Sequence, residues 1–205
     1  MDTIRLLGLD EVDTAGELLA RAFFDDPLAV HMLPDAEARG HLLPVHLGAM
    51  LRYGVLYGEV HATPGALRGV AMWVRPGLDD VAPEQAEASG INRAAAMLGA
   101  EAWGRFEAVM GHVAQFRTSD MPDPHWYLAL IGVAPEATGQ GLGGRLLLHT
   151  VARADAAGTP CYLETASARN VPFYTRHGFD LAREGVAPGS GVRYWTFRRQ
   201  PTGTR

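Results

Sequence analysis

Apolar residues recur along the first part of the chain at helical spacing and further on at strand spacing. Residues 4–7 form a short apolar run suited to an opening strand. Val12, Ala15, Leu18, Leu19, Ala22 and Phe23 then follow at helical intervals. They predict a helix with Asp10 as its cap and Asp25-Asp26-Pro27 as its stop. A second helix is predicted over about 37–53, broken or started by Pro44. Two strand-like runs, 57–63 and 67–74, flank Pro64-Gly65 and read as a hairpin that Pro76-Gly77 closes.

Residues 80–117 are rich in Ala, Met and Glu and interrupted by Gly90, Gly99, Gly104 and Gly111, which predicts two or three short helices. Residues 118–124 read as a loop and as the hinge between two halves. Trp126–Val133 is the strongest strand pattern. After it come a helix over 143–157, a strand at Cys161–Thr165, a short helix over 171–177 and a final strand pair at 179–183 and 193–198. This order predicts a mixed α/β fold.

Composition narrows the function. The chain has 205 residues, 47% hydrophobic and 20% charged, enough for one domain with its own core. Lysine is absent, so all 18 basic residues are arginine; against 23 acids they leave a net charge of -5, without the basic stripe of a nucleic-acid binder. One cysteine, Cys161, excludes a disulfide framework, and eight histidines show no metal-ligand spacing, so no metal is expected. No apolar run reaches the length of a membrane span, and the N-terminal residues lack the pattern of a signal peptide. A cytoplasmic location is expected.

Chemistry begins at Gly139-Gln140-Gly141-Leu142-Gly143-Gly144, between a strand and a helix. Glycines there let backbone N–H groups point at an anion, and the helix adds the positive end of its dipole, so a pyrophosphate is the natural guest. Gly139, Gly141 and Gly144 also match a dinucleotide fingerprint, with Glu164 at the end of the next strand, which keeps an NAD(P)-binding oxidoreductase as an alternative. Context argues against it: five residues separate the strand from the first glycine, and 61 residues after Gly144 are too few for the rest of such a fold.

The spacing Val133-x-Pro135-x-x-Thr138-Gly139-Gln140-Gly141-Leu142-Gly143-x-x-Leu146-Leu147 resembles the acyl-CoA motif of the GNAT superfamily of N-acetyltransferases. Leu163-Glu164-Thr165 and Asn170-Val171-Pro172-Phe173-Tyr174-x-x-His177-Gly178-Phe179 agree with its second half. The pattern, including Trp126-Tyr127-Leu128-Ala129, is similar to that of puromycin N-acetyltransferase-like members. It covers about 126–183 strongly and the N-terminal half by element order only.

The resemblance implies a GNAT-like α/β (α+β) fold, a twisted mixed sheet of about six or seven strands with helices on both faces. It would fill one domain, 1–205, with an acceptor-side half over 1–117, a helical insert at about 80–117 and an acetyl-CoA half over 125–199. The implied activity is transfer of an acetyl group from acetyl-CoA to a primary amine of a small molecule, by direct attack in a ternary complex. A catalytically idle acyl-CoA sensor is the other reading of the same loop. Ile131, Gly132 and Val133 would offer backbone to pantetheine, and Gly132 also predicts a bulge or a close backbone approach. Residues 138–144 would hold the pyrophosphate, with Thr138 standing where the family has Gln or Arg and offering a hydroxyl instead. Asn170 is a cofactor contact, a helix cap or both. Tyr174 would protonate the departing thiolate. His125 and Glu164 are candidates for the general base, and Glu59 and His61 share one face of a strand as weaker ones. Met97, Phe106 and Met110 read as core. No nucleic acid and no membrane is expected as partner, and a homodimer is left open.

Overall fold

In a computed structural model that describes residues 3–78 and 81–203, the apolar run Gly69–Val74 is a strand buried on both faces. Val70, Met72 and Val74 point into one apolar layer and Ala71 and Trp73 into another, as the two-residue period of a strand dictates. This strand is β3. The other strands are β1 (Arg5–Leu6), β2 (Glu59–Ala62), β4 (Trp126–Val133), β5 (Cys161–Thr165), β6 (Asp180–Val186) and β7 (Arg193–Arg199). They form a seven-stranded sheet in the order β1-β2-β3-β4-β5-β7-β6. Every pairing is antiparallel except that of β4 with β5. A doubly wound parallel sheet is therefore absent among the described residues, which removes the dinucleotide alternative.

The helices are α1 (Val12–Ala22), α2 (Pro27–Met32), α3 (Ala36–Tyr57), α4 (Pro83–Ser89), α5 (Ile91–Leu98), α6 (Ala100–Asp120), α7 (Leu142–Ala156) and α8 (Val171–Arg176). One face of the sheet is covered by α1 and α3 through Val12, Leu18, Leu19, Leu47 and Leu51. On the opposite face α7 and α8 pack Leu146, Leu147, Val151 and Tyr174 onto Trp73, Leu163 and Phe197. Among the described residues no helix is long and apolar enough to cross a membrane.

Four local expectations need correction. Asp10 does not cap α1: it lies in a 3-10 turn, Leu9–Glu11, and the Glu11 carboxylate instead accepts from the Gly8 N–H at 3.1 Å and pairs with Arg5 at 2.7 Å. Pro44 neither starts nor breaks α3, which runs 22 residues through it from an Asp35 cap. Buried residues on both sides of the proline, Arg39 and Leu43 before it and His46 and Leu47 after it, hold the two halves in line. Asp25-Asp26-Pro27 ends α1 but also starts α2, with Asp26 as its cap and Pro27 at its first position. Residues 118–120 are helix rather than hinge. The buried Asp120 carboxylate accepts from Arg183 at 2.8 Å, Thr196 at 3.1 Å and Tyr162 at 3.2 Å, and so holds the end of α6 against β5, β6 and β7.

Candidate active site

The site starts with an irregularity in β4. Trp73 of β3 faces Leu128 while Met72 faces Leu130, so Ala129 is an extra residue on β4. A bulge bends its strand, and β4 pairs with β5 only from Trp126–Cys161 to Leu128–Leu163. Beyond that point the two parallel strands part and leave an opening at their C-terminal ends. Side-chain alternation shifts with the bulge: Tyr127, Ala129 and Leu130 all pack toward the α1/α3 layer. The bulge expected at Gly132 thus lies three residues earlier, at Ala129. Gly132 serves the close approach instead, because a Cβ there would lie 2.4 Å from Leu19 Cδ2 of α1.

The glycine loop leads from this strand into α7. Pro135–Ala137 form a 3-10 turn; Gly139 and Gly141 then take positive φ of 77° and 74°, a conformation glycine adopts without steric cost. Gly141 is the N-cap of α7. The backbone N–H groups of residues 139–144 have no protein acceptor among the described residues. Such a row of donors at a helix N-terminus fits an anion of pyrophosphate size. Gly144 leaves room for His177, whose Nε2 would lie 2.8 Å from a Cβ at that position, and Gly143 sits under Phe173. The Thr138 hydroxyl and N–H both donate to the Pro135 carbonyl, at 2.8 and 3.3 Å, so this residue closes the turn. The Gln140 side chain accepts from Arg68 at 3.3 Å.

Beside the opening lies a cleft of about 150 Å³ that gathers residues far apart in sequence. Tyr174, Glu164, Asn170 and Ile131 line it from β4, β5 and α8, and Asp26 from α2. Tyr174 is buried, its ring wedged against Phe173, Phe179 and Phe197. Burial raises its pKa above the usual tyrosine value, so the phenol stays protonated at neutral pH. Its hydroxyl has no protein hydrogen-bond partner among the described residues and is open to a guest in the cleft. Glu164 accepts from the Tyr127 hydroxyl at 2.5 Å; burial raises its pKa, with that bond acting the other way. The Arg117 guanidinium lies over the Tyr127 ring, 4.6 Å from its centroid.

Asp26 is the residue that sequence reasoning missed. It is 8% exposed, lines the cleft and accepts from the Leu28 N–H at 3.0 Å as the cap of α2. Burial raises its pKa, with that backbone bond as the main opposing effect. Two arginines hold α2 in place: Arg105 of α6 donates to Met32 O at 2.9 Å, and Arg39 of α3 to Leu33 O at 2.6 Å. The Asp-Pro pair was the available signal, since both residues favour a helix start.

The other candidates are placed as follows. His125 sits at the start of β4, its Nδ1 2.8 Å from Asp123 O, and is not among the residues lining the cleft. Asn170 stands at the N-cap of α8 but its side chain caps nothing; it donates to Thr165 Oγ1 at 3.1 Å and faces the cleft. Glu59 and His61 lie away from it, in an ion-pair cluster with Arg153, where burial lowers His61 to about 4. Cys161 is buried with its thiol pushed up to about 12, which suits a packed side chain and not a nucleophile. Phe106 and Met110, read from sequence as core, line the cleft on α6.

Comparison with known proteins agrees with this architecture. A model of the Acetyltransferase (GNAT) family matches residues 73–179. An uncharacterized N-acetyltransferase of Schizosaccharomyces pombe is 26% identical over 172 residues, covering 80% of this chain and 69% of the yeast protein. Among solved structures, a Corynebacterium glutamicum protein described as histone acetyltransferase HPA2 and related acetyltransferase superposes with a TM-score of 0.68 at 23% identity, covering 100% of this chain and 99% of its own. A Drosophila melanogaster polyamine N-acetyltransferase that catalyses the formation of N-acetylagmatine superposes at 0.61 with 16% identity, covering 98% of this chain and 100% of its own. With the family model spanning the bulged strand, the glycine loop and Tyr174, the chain belongs to the GNAT family of acetyltransferases and is an acyl-CoA N-acyltransferase.

Proposed function

We propose that the chain moves an acetyl group from acetyl-CoA to the primary amine of a small molecule, by direct attack while both substrates are bound. The observation that carries this is one cleft in which a protonated tyrosine and two carboxylates meet at the parting of β4 and β5, next to the free N–H groups of the α7 loop. Acetyl-CoA supplies the activated acetyl thioester. Residues 139–144 hold its pyrophosphate through their N–H groups, and the β4 edge at Ile131, Gly132 and Val133 faces its pantetheine arm.

An amine reaches the site as an ammonium ion and must lose a proton before it attacks. Asp26 takes that proton, directly or through a water, since its buried carboxylate has a raised pKa and faces Tyr174 across the cleft. Glu164 adds a second negative charge that favours a cation in the cleft. Tyr174 donates its phenolic proton to the sulfur as the C–S bond breaks, so the thiol leaves neutral. The apolar walls of the cleft and its small volume favour a compact acceptor over a peptide chain, in keeping with the likeness of Trp126–Val133 and the loop to puromycin N-acetyltransferase-like members.

The test is a free-thiol assay with acetyl-CoA and a panel of small amines and amino-terminal peptides. Thiol release with amines and not with peptides supports the reading. Release with peptides alone, or acetyl-CoA binding without turnover of any acceptor, overturns it.

A further inference from the structure

His46 of α3 is a polar side chain set in the apolar wall of the cleft. It is 5% exposed, lines the cleft beside Met32, Leu43, Leu47, Phe106 and Val109, and is used by none of the steps of acetyl transfer. Two rings of α6 meet it edge-on, Phe106 with centroids 4.7 Å apart and Trp103 at 6.0 Å. Neither of its ring nitrogens has a hydrogen-bond partner among the described residues. Nor is either sealed within the packing, as the unpaired nitrogens of Arg39, Trp73, Arg183 and Arg199 are. Burial lowers its pKa to about 4, so at pH 7 the ring is neutral, with one N–H and one bare lone pair. The face of an aromatic ring can receive the N–H, but no ring can donate to the lone pair. One acceptor nitrogen is therefore open to whatever occupies the cleft.

We propose that the amine acceptor carries a hydroxyl group, and that His46 selects it by accepting its proton in a hydrogen bond. This rests on the acetyl-transfer reading of the same cleft. The ammonium end lies at Asp26 and Glu164, and the hydroxyl end reaches the α3 wall. A wall that is apolar but for one polar group is specific for a guest that matches that group. A hydroxyl has one proton to give and one lone pair takes it; an ammonium has three, and a methyl has none. A methyl in the same place gains from the apolar wall but displaces the water that would otherwise satisfy the imidazole. A buried acceptor left bare costs more than one buried methyl gains.

The experiment compares three pairs of amines that differ only in a terminal hydroxyl or methyl, at saturating acetyl-CoA. They are 3-aminopropan-1-ol with butylamine, 5-aminopentan-1-ol with hexylamine, and tyramine with 2-(4-methylphenyl)ethylamine. In the pair whose length spans the cleft, kcat/KM for the hydroxyl member should exceed that of its methyl partner by about 10- to 100-fold. His46→Phe keeps a ring against Trp103 and Phe106 but removes the lone pair, so the order should invert there. His46→Gln restores a neutral acceptor and should restore the preference in part. Retention of the acetyl-CoA-induced melting shift shows that each variant is folded. Methyl members used as well as the hydroxyl members in all three pairs overturn the proposal and leave acetyl transfer standing. A hydroxyl preference undiminished in His46→Phe overturns the role of His46. Thiol release with none of the six overturns the proposal, and the wider amine panel then decides acetyl transfer itself.

Discussion

The Tyr127 hydroxyl donates to Glu164 Oε1 at 2.5 Å and joins β4 to β5 at the point where their ladder stops, at Leu128 and Leu163. A side-chain bond here takes over from the backbone, so the strands part by a fixed amount and the carboxylate is aimed into the cleft. Tyr127→Phe leaves that carboxylate buried without its strongest partner. At pH 7 the expected loss of stability is about 1–3 kcal/mol. The sign with pH follows from the raised pKa of Glu164. Burial disfavours its charged form, so the penalty grows as pH rises through the folded-state pKa and vanishes once the group is protonated. Denaturant melts should therefore show a larger deficit at pH 8 than at pH 5.

Gly141 caps α7 with φ of 74°. Alanine disfavours this conformation by about 1–2 kcal/mol. In Gly141→Ala the row of N–H donors tilts or the loop strains, and acetyl-CoA should bind about tenfold more weakly, which isothermal titration reads directly. Equal affinity in the variant would mean that the row of donors does not carry the pyrophosphate.

The sequence made the second half of the chain legible because its signals are local. Trp126–Val133 and Cys161–Thr165 read correctly to the residue, and the α7 and α8 boundaries fell within one residue of those predicted. Turn glycines and a regular apolar period settle such elements without distant help. What stayed hidden depends on tertiary contact. The bulge at Ala129 is set by register against β3, and nothing in its own residues marks it. The helical state of Thr118-Ser119-Asp120 runs against local preference and is held by Arg183, Tyr162 and Thr196 from three other strands. Asp26 joins the site because Arg39 and Arg105, both distant in sequence, fix α2 over the cleft.

Asp155 lies outside the site and adds to the stability of the fold above the acid range. Its carboxylate accepts from both Arg199 Nη atoms, at 2.6 and 2.8 Å, and from Thr202 N–H and hydroxyl, both at 2.9 Å, tying the last strand to α7. The Arg199 bonds, with those of Thr202, lower its pKa to about 2. A lowered carboxyl contributes stability above its unfolded pKa that is lost as pH falls toward the folded one. Between about pH 4 and pH 2 the protein should lose roughly 1–2 kcal/mol from this clamp, a part-exposed group being screened by water. Asp155→Asn should melt lower at pH 7 and show a flatter acid limb.

Tyr174→Phe keeps the ring packed against Phe173, Phe179 and Phe197 and removes only the proton donor. The expected result is a fall in kcat of about 10²–10⁴, the usual span for general-acid catalysis, with acetyl-CoA affinity unchanged. Stopped thiol assays at saturating acceptor, paired with titration of acetyl-CoA, separate the two. A variant with full kcat would show that the sulfur leaves without protonation from this residue.

Asp26→Asn separates chemistry from structure, because asparagine caps a helix as well as aspartate does and the Leu28 N–H keeps an acceptor. Melting temperature should therefore change little. Catalysis should weaken, since a neutral amide cannot take a proton from the ammonium, and kcat should fall by about 10²–10⁴. In the native chain, burial raises the Asp26 pKa, so its basic form is lost on acidification sooner than for an exposed aspartate. The kcat profile should decline on its acid side at a pH above the ordinary aspartate range of about 4, and the residual activity of Asp26→Asn should lack that limb. If the limb persists in Asp26→Asn and disappears in Glu164→Gln instead, the base is the carboxylate on β5, and Asp26 is left with the cap of α2 alone.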